Sequence, residues 1–281
     1  MKAPLLCIAT LVLLFVSCKK EHGIPTTNIP PVNNPGNNPN NDAPRLKDMV
    51  VNRLPSPYYH FDYDDAGNII GINYQSGARI YAVSYTNKKI SLMENIIEPV
   101  RDKLNYVYDN DRVVQVNIIN RNGLLYRKAF INYNASNKIS RVYWEVLDNG
   151  GFSSEQMLTF TYHPDGNLKK MENTTFAVGP LTEGTFSETY DNYDDKVNAE
   201  GFDLLIPLPQ NHLIFLPEYK LQINNPRHVE RTGTPGTDYI VDYQYTYDNK
   251  NRPVSKTGDL VFTGGQQVGQ HFTTGTTYSW Y

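Results

Sequence analysis

The chain has 281 residues, with 26 Lys+Arg against 29 Asp+Glu and a formal net charge of −3. This length is sufficient for one or two globular domains with a sizeable core. The charge balance leaves no basic excess to follow a phosphate backbone, so the sequence predicts no nucleic-acid partner. The 21 Tyr, 19 Gly and 18 Pro residues are typical of strands and turns.

Residues 1–17 have the pattern of an export signal. Lys2 supplies a positive end, and residues 5–16 form an apolar stretch that is shorter than the roughly 20 residues needed to span a bilayer. The stretch ends in Phe-Val-Ser-Cys at residues 15–18, which resembles the lipobox of bacterial lipoproteins. The resemblance implies cleavage before Cys18 and lipidation of its thiol, whereas a plain secretory signal would leave Cys18 unmodified.

Cysteine usage agrees with export. Cys7 lies within the signal and Cys18 is the only other cysteine, so we predict no disulfide and no thiolate zinc site. Residues 18–46 begin at the lipidated Cys18 and contain six Pro and seven Asn between positions 19 and 44. This composition cannot bury a core and predicts a linker, extended at about 3.1 Å per residue where it is Pro-rich.

A short unit recurs through residues 47–281, which we interpret as one domain. Each copy alternates aromatic or aliphatic residues with polar ones, closes on Tyr, passes a polar turn and resumes with an aliphatic residue. A degenerate copy occupies residues 189–197. The closing residues of the six clear copies are Tyr63, Tyr85, Tyr108, Tyr133, Tyr162 and Tyr247.

The parity of each copy predicts strands. Positions two and four before every closing Tyr are apolar or aromatic, while the position directly before it is polar in all copies except Val107. This period of two is typical of half-buried antiparallel strands. After the turn the apolar positions shift phase, as at Ile69 and Ile72, which predicts a β-bulge. About seven hairpins, or roughly 14 strands, would form an all-β antiparallel meander, either a curled sheet or a barrel-like structure.

The segment at about residues 197–230 breaks the repeat. Its four prolines exclude a central strand, yet residues 204–216 are too apolar to lie in water. We expect a short Pro-rich, partly helical insertion that packs on the apolar face of the sheet. An exposed loop that binds a partner is the alternative.

Two copies, residues 61–69 and 160–168, carry the pattern aromatic-x-Tyr, a polar turn with Gly-Asn, and an aliphatic residue. They are similar to the YD repeats of Rhs and teneurin-type shells. Residues 47–281 as a whole resemble a family of bacterial lipoproteins of unknown function with a porin-like fold. That family interrupts its hairpins with a Tyr-Asp-rich stretch, a Pro-rich insertion and an Asn-Asn-Pro triplet, matched here by residues 190–196, 204–217 and 224–226. The resemblance implies the fold and supplies no catalytic residue.

Few residues suggest chemistry. The six histidines show no metal-ligand spacing, and no nucleophile elbow or phosphate-binding loop is present, so no catalytic residue and no cofactor are predicted. Asp191, Asp194 and Asp195 are a candidate metal site, because three carboxylates within five residues repel one another unless a cation or solvent screens them.

Aromatic residues offer a second kind of site. Tyr143, Trp144, Trp280 and Tyr281 could stack on sugar rings if they are exposed, and packing in the core or rim is the alternative. Residues 274–281 also resemble the closing strand of an outer-membrane barrel. A spanning barrel needs a continuous apolar outer belt, however, and the mean hydropathy here is −0.51.

The sequence therefore predicts an outer-membrane-anchored lipoprotein that faces the periplasm or the cell surface. Its expected role is non-enzymatic binding or structure, with glycan binding as the sharpest version. The expected partners are the membrane, through the lipid, and a glycan or an envelope protein. A secreted hydrolase of polysaccharides and an integral outer-membrane barrel are the alternatives, and the oligomeric state stays open.

Overall fold

The computed structural model describes residues 44–204 and 213–281. Within these ranges the only helix is a single 3-10 turn over Gly265–Gln267, so no described helix is long enough to cross a membrane. The strands are β1 (Leu46–Val51), β2 (Tyr59–Tyr63), β3 (Ile69–Tyr74), β4 (Arg79–Thr86), β5 (Lys89–Asn95), β6 (Lys103–Asp109), β7 (Arg112–Ile119), β8 (Leu125–Tyr133), β9 (Ile139–Asp148), β10 (Gly151–Tyr162), β11 (Leu168–Thr175), β12 (Gly184–Asp191), β13 (Asp203–Leu204), β14 (Ile214–Phe215), β15 (His228–Gly233), β16 (Tyr239–Tyr247), β17 (Pro253–Phe262) and β18 (His271–Trp280).

Sixteen of these strands close into an antiparallel barrel, and β13 and β14 form a separate two-stranded sheet. The barrel strands pair in chain order except that β12 pairs with β15 and that β1 pairs with β18 to close the ring. The predicted all-β meander is confirmed, and it takes the barrel form. The expected 14 strands become 16 because β1 and β18 pair across the two ends of the domain, where no turn marks them in the sequence.

The two faces of the barrel wall differ sharply in polarity. In β2, Tyr59 and Phe61 are 2% and 1% exposed, whereas His60 and Asp62 alternate with them on the opposite face. His60 Nδ1 lies 2.6 Å from the Asp48 carboxylate of β1 on that outer face. The buried side chains of the barrel are thus mainly apolar and the outer face of β2 is polar, whereas lipid-exposed barrels carry an apolar belt on the outside.

The closing tyrosines join neighbouring hairpins. The hydroxyl groups of Tyr85, Tyr133 and Tyr162 donate to backbone carbonyls of the preceding hairpin, those of Ile69, Val113 and Ile139, at 2.6–2.9 Å. Each accepting residue is the partner of the previous closing tyrosine, next to a register shift in the ladder. The same shift occurs in all six clear copies, so the predicted bulges are confirmed.

Replacing Tyr162 by phenylalanine tests the contribution of these hydrogen bonds between hairpins. The variant keeps the ring and removes the hydroxyl that donates to the Ile139 carbonyl at 2.6 Å. We expect the free energy of unfolding to fall by about 1 kcal/mol, because the carbonyl loses a donor in a half-buried place. Urea denaturation of Tyr162→Phe and the parent measures the difference, and equal midpoints and slopes would show that the hydroxyl contributes nothing.

The insertion occupies one end of the barrel. This turn end carries the turns that follow the closing tyrosines and both ends of the domain. We call residues 198–204 and 213–222 the plug. Its segment 213–216 is at most 3% exposed within the main hydrophobic core, and the Tyr106 hydroxyl donates to the Phe215 carbonyl at 3.0 Å.

The described flanks of the insertion differ in one respect from the prediction. Its described flanks pack on the inner face of the barrel as expected, but they contain no helix. The pairing of β13 with β14 satisfies part of the hydrogen-bonding groups of the flanks' backbone, and the Tyr106 hydroxyl also accepts from the Phe215 amide at 3.2 Å. An extended form therefore satisfies these backbone groups without a helix. Pro207 and Pro209 lie outside the described residues.

Candidate functional site

A cavity of about 530 Å³ lies at the loop end of the barrel, opposite the turn end. It is formed by the loop-end parts of β4, β8, β9 and β10, by residues just before β6, and by the loop between β11 and β12. We call it the mouth cavity. Its charged lining residues are Arg79, Asp102, Arg127, Asp148 and Glu155. Its aliphatic and proline wall is formed by Val100, Val146, Leu147, Val178, Pro180 and Leu181.

A buried ion pair forms the polar part of the lining. Arg127 Nη2 lies 2.6 Å from Glu155 Oε1, and each side chain is only 3% exposed. Burial raises the pKa of Glu155, and the Arg127 guanidinium opposes that shift. Beside the pair, the Tyr126 hydroxyl donates to Asp102 Oδ2 at 2.8 Å. The cavity therefore combines several ionisable groups with an apolar wall, as ligand pockets commonly do.

A β-bulge directs Glu155 into the barrel. The pairing of β10 with β9 shifts register between Ser154 and Gln156, which leaves Glu155 as the extra residue. Glu155 and Gln156 are consequently both buried, at 2% and 0% exposure, where a regular strand would alternate. Gln156 donates to Asn173 Oδ1 at 2.7 Å on the inner face.

Three buried polar atoms around this bulge lack a hydrogen-bond partner among the described residues. They are Glu155 Oε2, Gln156 Oε1 and the Trp144 indole nitrogen. Gln156 and Trp144 are register partners, so the three atoms belong to one short stretch of β9 and β10. Buried polar groups are otherwise almost always paired, so these atoms mark a place where water or a ligand group would be stabilised.

The four aromatic residues that could stack on sugars lie in different places. Trp144 is fully buried, so the exposure that stacking on a sugar requires is absent there. Tyr143 faces outward on the same strand, and its hydroxyl contacts Ser154. Trp280 and Tyr281 lie at the turn end, where the Trp280 indole donates to the Pro253 carbonyl at 2.8 Å and Tyr281 is 57% exposed. The four rings do not form one surface.

The three predicted metal-binding carboxylates also face different partners. Asp194 accepts from the Lys196 and Asn225 amides, at 2.9 and 3.2 Å, and holds the base of the insertion. Asp195 pairs with Lys196, which lowers the pKa of that carboxyl, and Asp191 points towards His163.

No group of three or more His, Cys, Asp or Glu residues suited to a metal ion occurs within residues 44–204 and 213–281. Cys18 lies outside the described residues, so its predicted lipidation stays a prediction.

Sequence reasoning missed the residues of the mouth cavity. Arg127 precedes Ala129 and Ile131 by two and four positions and therefore shares their inner face, a parity signal that was present in the repeat. Glu155 gave no such signal, because regular alternation from Leu158 and Phe160 would place it outside. Only the bulge brings it in.

Comparison with known proteins supports the fold. No family model and no curated protein matches the chain. Among solved structures, a porin-like protein from Bacteroides uniformis is 13% identical, with a TM-score of 0.53 over 79% of this chain and 89% of that one. A porin-like protein from Bacteroides vulgatus is 12% identical, with the same TM-score over 84% of this chain and 99% of that one. At these identities the likeness is one of fold: the chain has a porin-like β-barrel fold.

Proposed function

We propose that the protein is a lipid-anchored barrel of the bacterial cell envelope that binds a glycan in the mouth cavity without chemical turnover. The observation that carries the proposal is the asymmetry of the barrel. The plug occupies the turn end and leaves smaller cavities of about 180–290 Å³ beside it, while the loop end holds a cavity of about 530 Å³ that Glu155 lines. A cavity of this volume suits a ligand of one or two sugar units.

The polarity of the wall favours a tethered barrel with a water-exposed outer face, and it disfavours a membrane-spanning pore. Porins have a polar, water-filled lumen and an apolar outer belt, whereas here a hydrophobic core occupies much of the interior and polar pairs such as His228 with Asp242 lie on the outside. The porin-like relatives in fold come from Bacteroides, which agrees with a place in a bacterial envelope.

The anchor would be the lipidated Cys18. Replacing Cys18 by serine removes the thiol to which diacylglycerol would attach, so we expect the variant to lose a metabolic fatty-acid label and to leave the membrane fraction. Labelling in cells followed by fractionation measures both effects, and Cys7→Ser serves as the matched control that keeps the label. A Cys18→Ser protein that stays in the membrane fraction would favour the integral-barrel alternative.

A glycan fits the chemistry of the cavity. Sugar hydroxyl groups can donate to carboxylates such as Glu155, and the C–H face of a sugar ring can pack against Val146 and Leu181. The test is a glycan array probed with the full lipidated chain in a polyoxyethylene detergent, which carries neither sugar nor amine. We expect a defined set of glycans to bind.

A pair of bulky substitutions links that binding to the cavity. Val178→Trp fills the cavity and should abolish binding, whereas Val268→Trp, at a 62% exposed position of another loop at the same end, should preserve it. An array without bound glycans, or one on which Val178→Trp binds like the parent, would overturn the proposal.

A polysaccharide hydrolase is the second candidate. It is favoured by the raised pKa of Glu155, a property of general acids in glycosidases, and by the carboxylate of Asp102 in the same cavity. Release of reducing ends from the glycans that bind would support this candidate, provided that Glu155→Gln abolishes it in a folded protein. Binding without any release supports the non-enzymatic role.

A further inference from the structure

The mouth cavity carries an uneven set of charges. Three carboxylates line it, those of Asp102, Asp148 and Glu155, against the two guanidinium groups of Arg79 and Arg127. With all five groups ionised the lining has one net negative charge. The apolar wall of the cavity concentrates the field of this charge, so the cavity favours an occupant with a single positive charge.

Glu155 provides the place for that charge. Its side chain is 3% exposed, and its Oε1 is paired with the Arg127 guanidinium. Its Oε2 has no hydrogen-bond partner among the described residues, although Glu155 lines the cavity. A buried carboxylate oxygen without a donor is costly, and a donor that arrives with a ligand removes the cost. The bulge in β10 fixes the backbone that presents this oxygen.

We propose that the mouth cavity binds a protonated primary amine carried on a sugar or other ring, and that the ammonium group donates to Glu155 Oε2. This proposal rests on the proposed function for the sugar and names the class of sugar, a unit with a free amino group. The ring would pack against the aliphatic wall formed by Val146, Leu147 and Leu181.

An ammonium group satisfies the site better than the other donors. A hydroxyl group supplies a hydrogen bond to the carboxylate but no charge, whereas an ammonium group adds the attraction of a full positive charge at a place with little water. An N-acetylated amine loses its charge and adds bulk at the buried oxygen. A divalent cation would need several ligands, and the described residues contain no group of three suitable side chains.

The acid–base properties of Glu155 give the proposal a pH signature. Burial raises the pKa of this carboxyl, so protonation sets in at a higher pH than for an exposed glutamate. Protonation removes the charge that holds the ammonium group, and amine binding should weaken as the pH falls through that raised pKa. Binding of a neutral sugar should depend much less on this titration, because its hydroxyl groups carry no charge.

Isothermal titration calorimetry on the full lipidated chain, in the same polyoxyethylene detergent, tests the proposal with two matched pairs of ligands. One pair is the β-1,4 dimer of glucosamine and its N,N′-diacetyl form, and the other is cyclohexylamine and cyclohexanol. We expect the amine of each pair to bind about tenfold or more tightly than its neutral partner at pH 7. We also expect that preference to shrink towards pH 4.

The outcomes separate the two proposals. Equal affinity within both pairs overturns amine recognition and leaves glycan binding intact if the sugars bind. An amine preference that pH does not change overturns the contact of the ammonium group with Glu155. Binding of cyclohexylamine without binding of either sugar supports the amine site and overturns the glycan function. Absence of binding by all four ligands overturns both proposals.

Glu155→Gln then identifies the residue. The variant keeps the size of the side chain, removes its charge and should bring the affinity of the glucosamine dimer to that of its diacetyl form, while Glu172→Gln on the outer face of β11 should change neither. A preference retained in folded Glu155→Gln assigns the ammonium to another group and overturns the role of Glu155. If the loss of the Arg127 partner prevents folding, the pH titration of the parent decides the same point.

Discussion

Replacing Phe215 by alanine is expected to lower the free energy of unfolding by about 3–5 kcal/mol. Phe215 is 1% exposed at the centre of the plug, packs near Phe202, and has both backbone polar groups bonded to the Tyr106 hydroxyl. The substitution removes a ring from a filled interior that cannot fully collapse around the gap. Guanidinium denaturation followed by tryptophan fluorescence measures the loss.

Phe272→Ala is the matched control for the plug. Phe272 is 44% exposed at the loop end, where its ring lies under the Arg53 guanidinium, so its truncation should cost less than about 1 kcal/mol. Equal costs at Phe215 and Phe272 would mean that the plug is not part of the packed interior, and the account of a filled barrel would be wrong.

Replacing Arg127 by methionine should cost a similar amount, about 3–5 kcal/mol, for an electrostatic reason. The variant leaves Glu155 buried without its ion partner and takes away the group that opposes the rise in its pKa. A carboxyl whose pKa is raised on folding favours the folded state when it is protonated. The loss should therefore be largest near neutral pH and should shrink as the pH falls towards the ordinary glutamate pKa of 4.5.

Two further variants locate the effect in the buried pair. Arg127→Met combined with Glu155→Gln should recover part of the stability, because the second change removes the isolated charge. Lys170→Met breaks the outer-face pair with Glu172, both about 40% exposed, and should cost no more than about 1 kcal/mol. A deficit in Arg127→Met that is the same at pH 4.5 and pH 7 would contradict the proposed origin.

The wall of the barrel was largely predictable, because its information is local. Alternation around Phe61 and Phe160 identifies the inner face, and the phase shift after each closing tyrosine identifies the bulges. The role of the tyrosine hydroxyls was not predictable, since each donates to the neighbouring hairpin and the acceptor depends on the register between hairpins. Closure of the barrel could not be predicted for the same reason. The pairing of β1 with β18 depends on the combined register shifts of all the strands between them.

The plug and the site show where sequence reasoning ends. The apolar character of residues 213–216 predicted burial correctly, but their extended form depends on a contact with Tyr106 from a distant strand. Arg127 could have been found as a charge on an inner position. Glu155 could not, because a bulge between Ser154 and Gln156 leaves no mark in a pattern of period two. The candidate site thus arises from an irregularity that only the assembled wall reveals.

A cross-strand disulfide tests the closed barrel most directly. Val50 of β1 and Thr277 of β18 are register partners on the outer face, at the pairing that closes the ring, and opposing residues of antiparallel strands lie within disulfide range. Oxidised Val50→Cys/Thr277→Cys should form an intramolecular cross-link that shifts migration on a non-reducing gel, whereas Val50→Cys/Thr159→Cys, with the second cysteine on β10, should not. Failure of the Val50 and Thr277 pair to cross-link in folded protein, or equal cross-linking of both pairs, would contradict the closed barrel on which the plug and the mouth cavity depend.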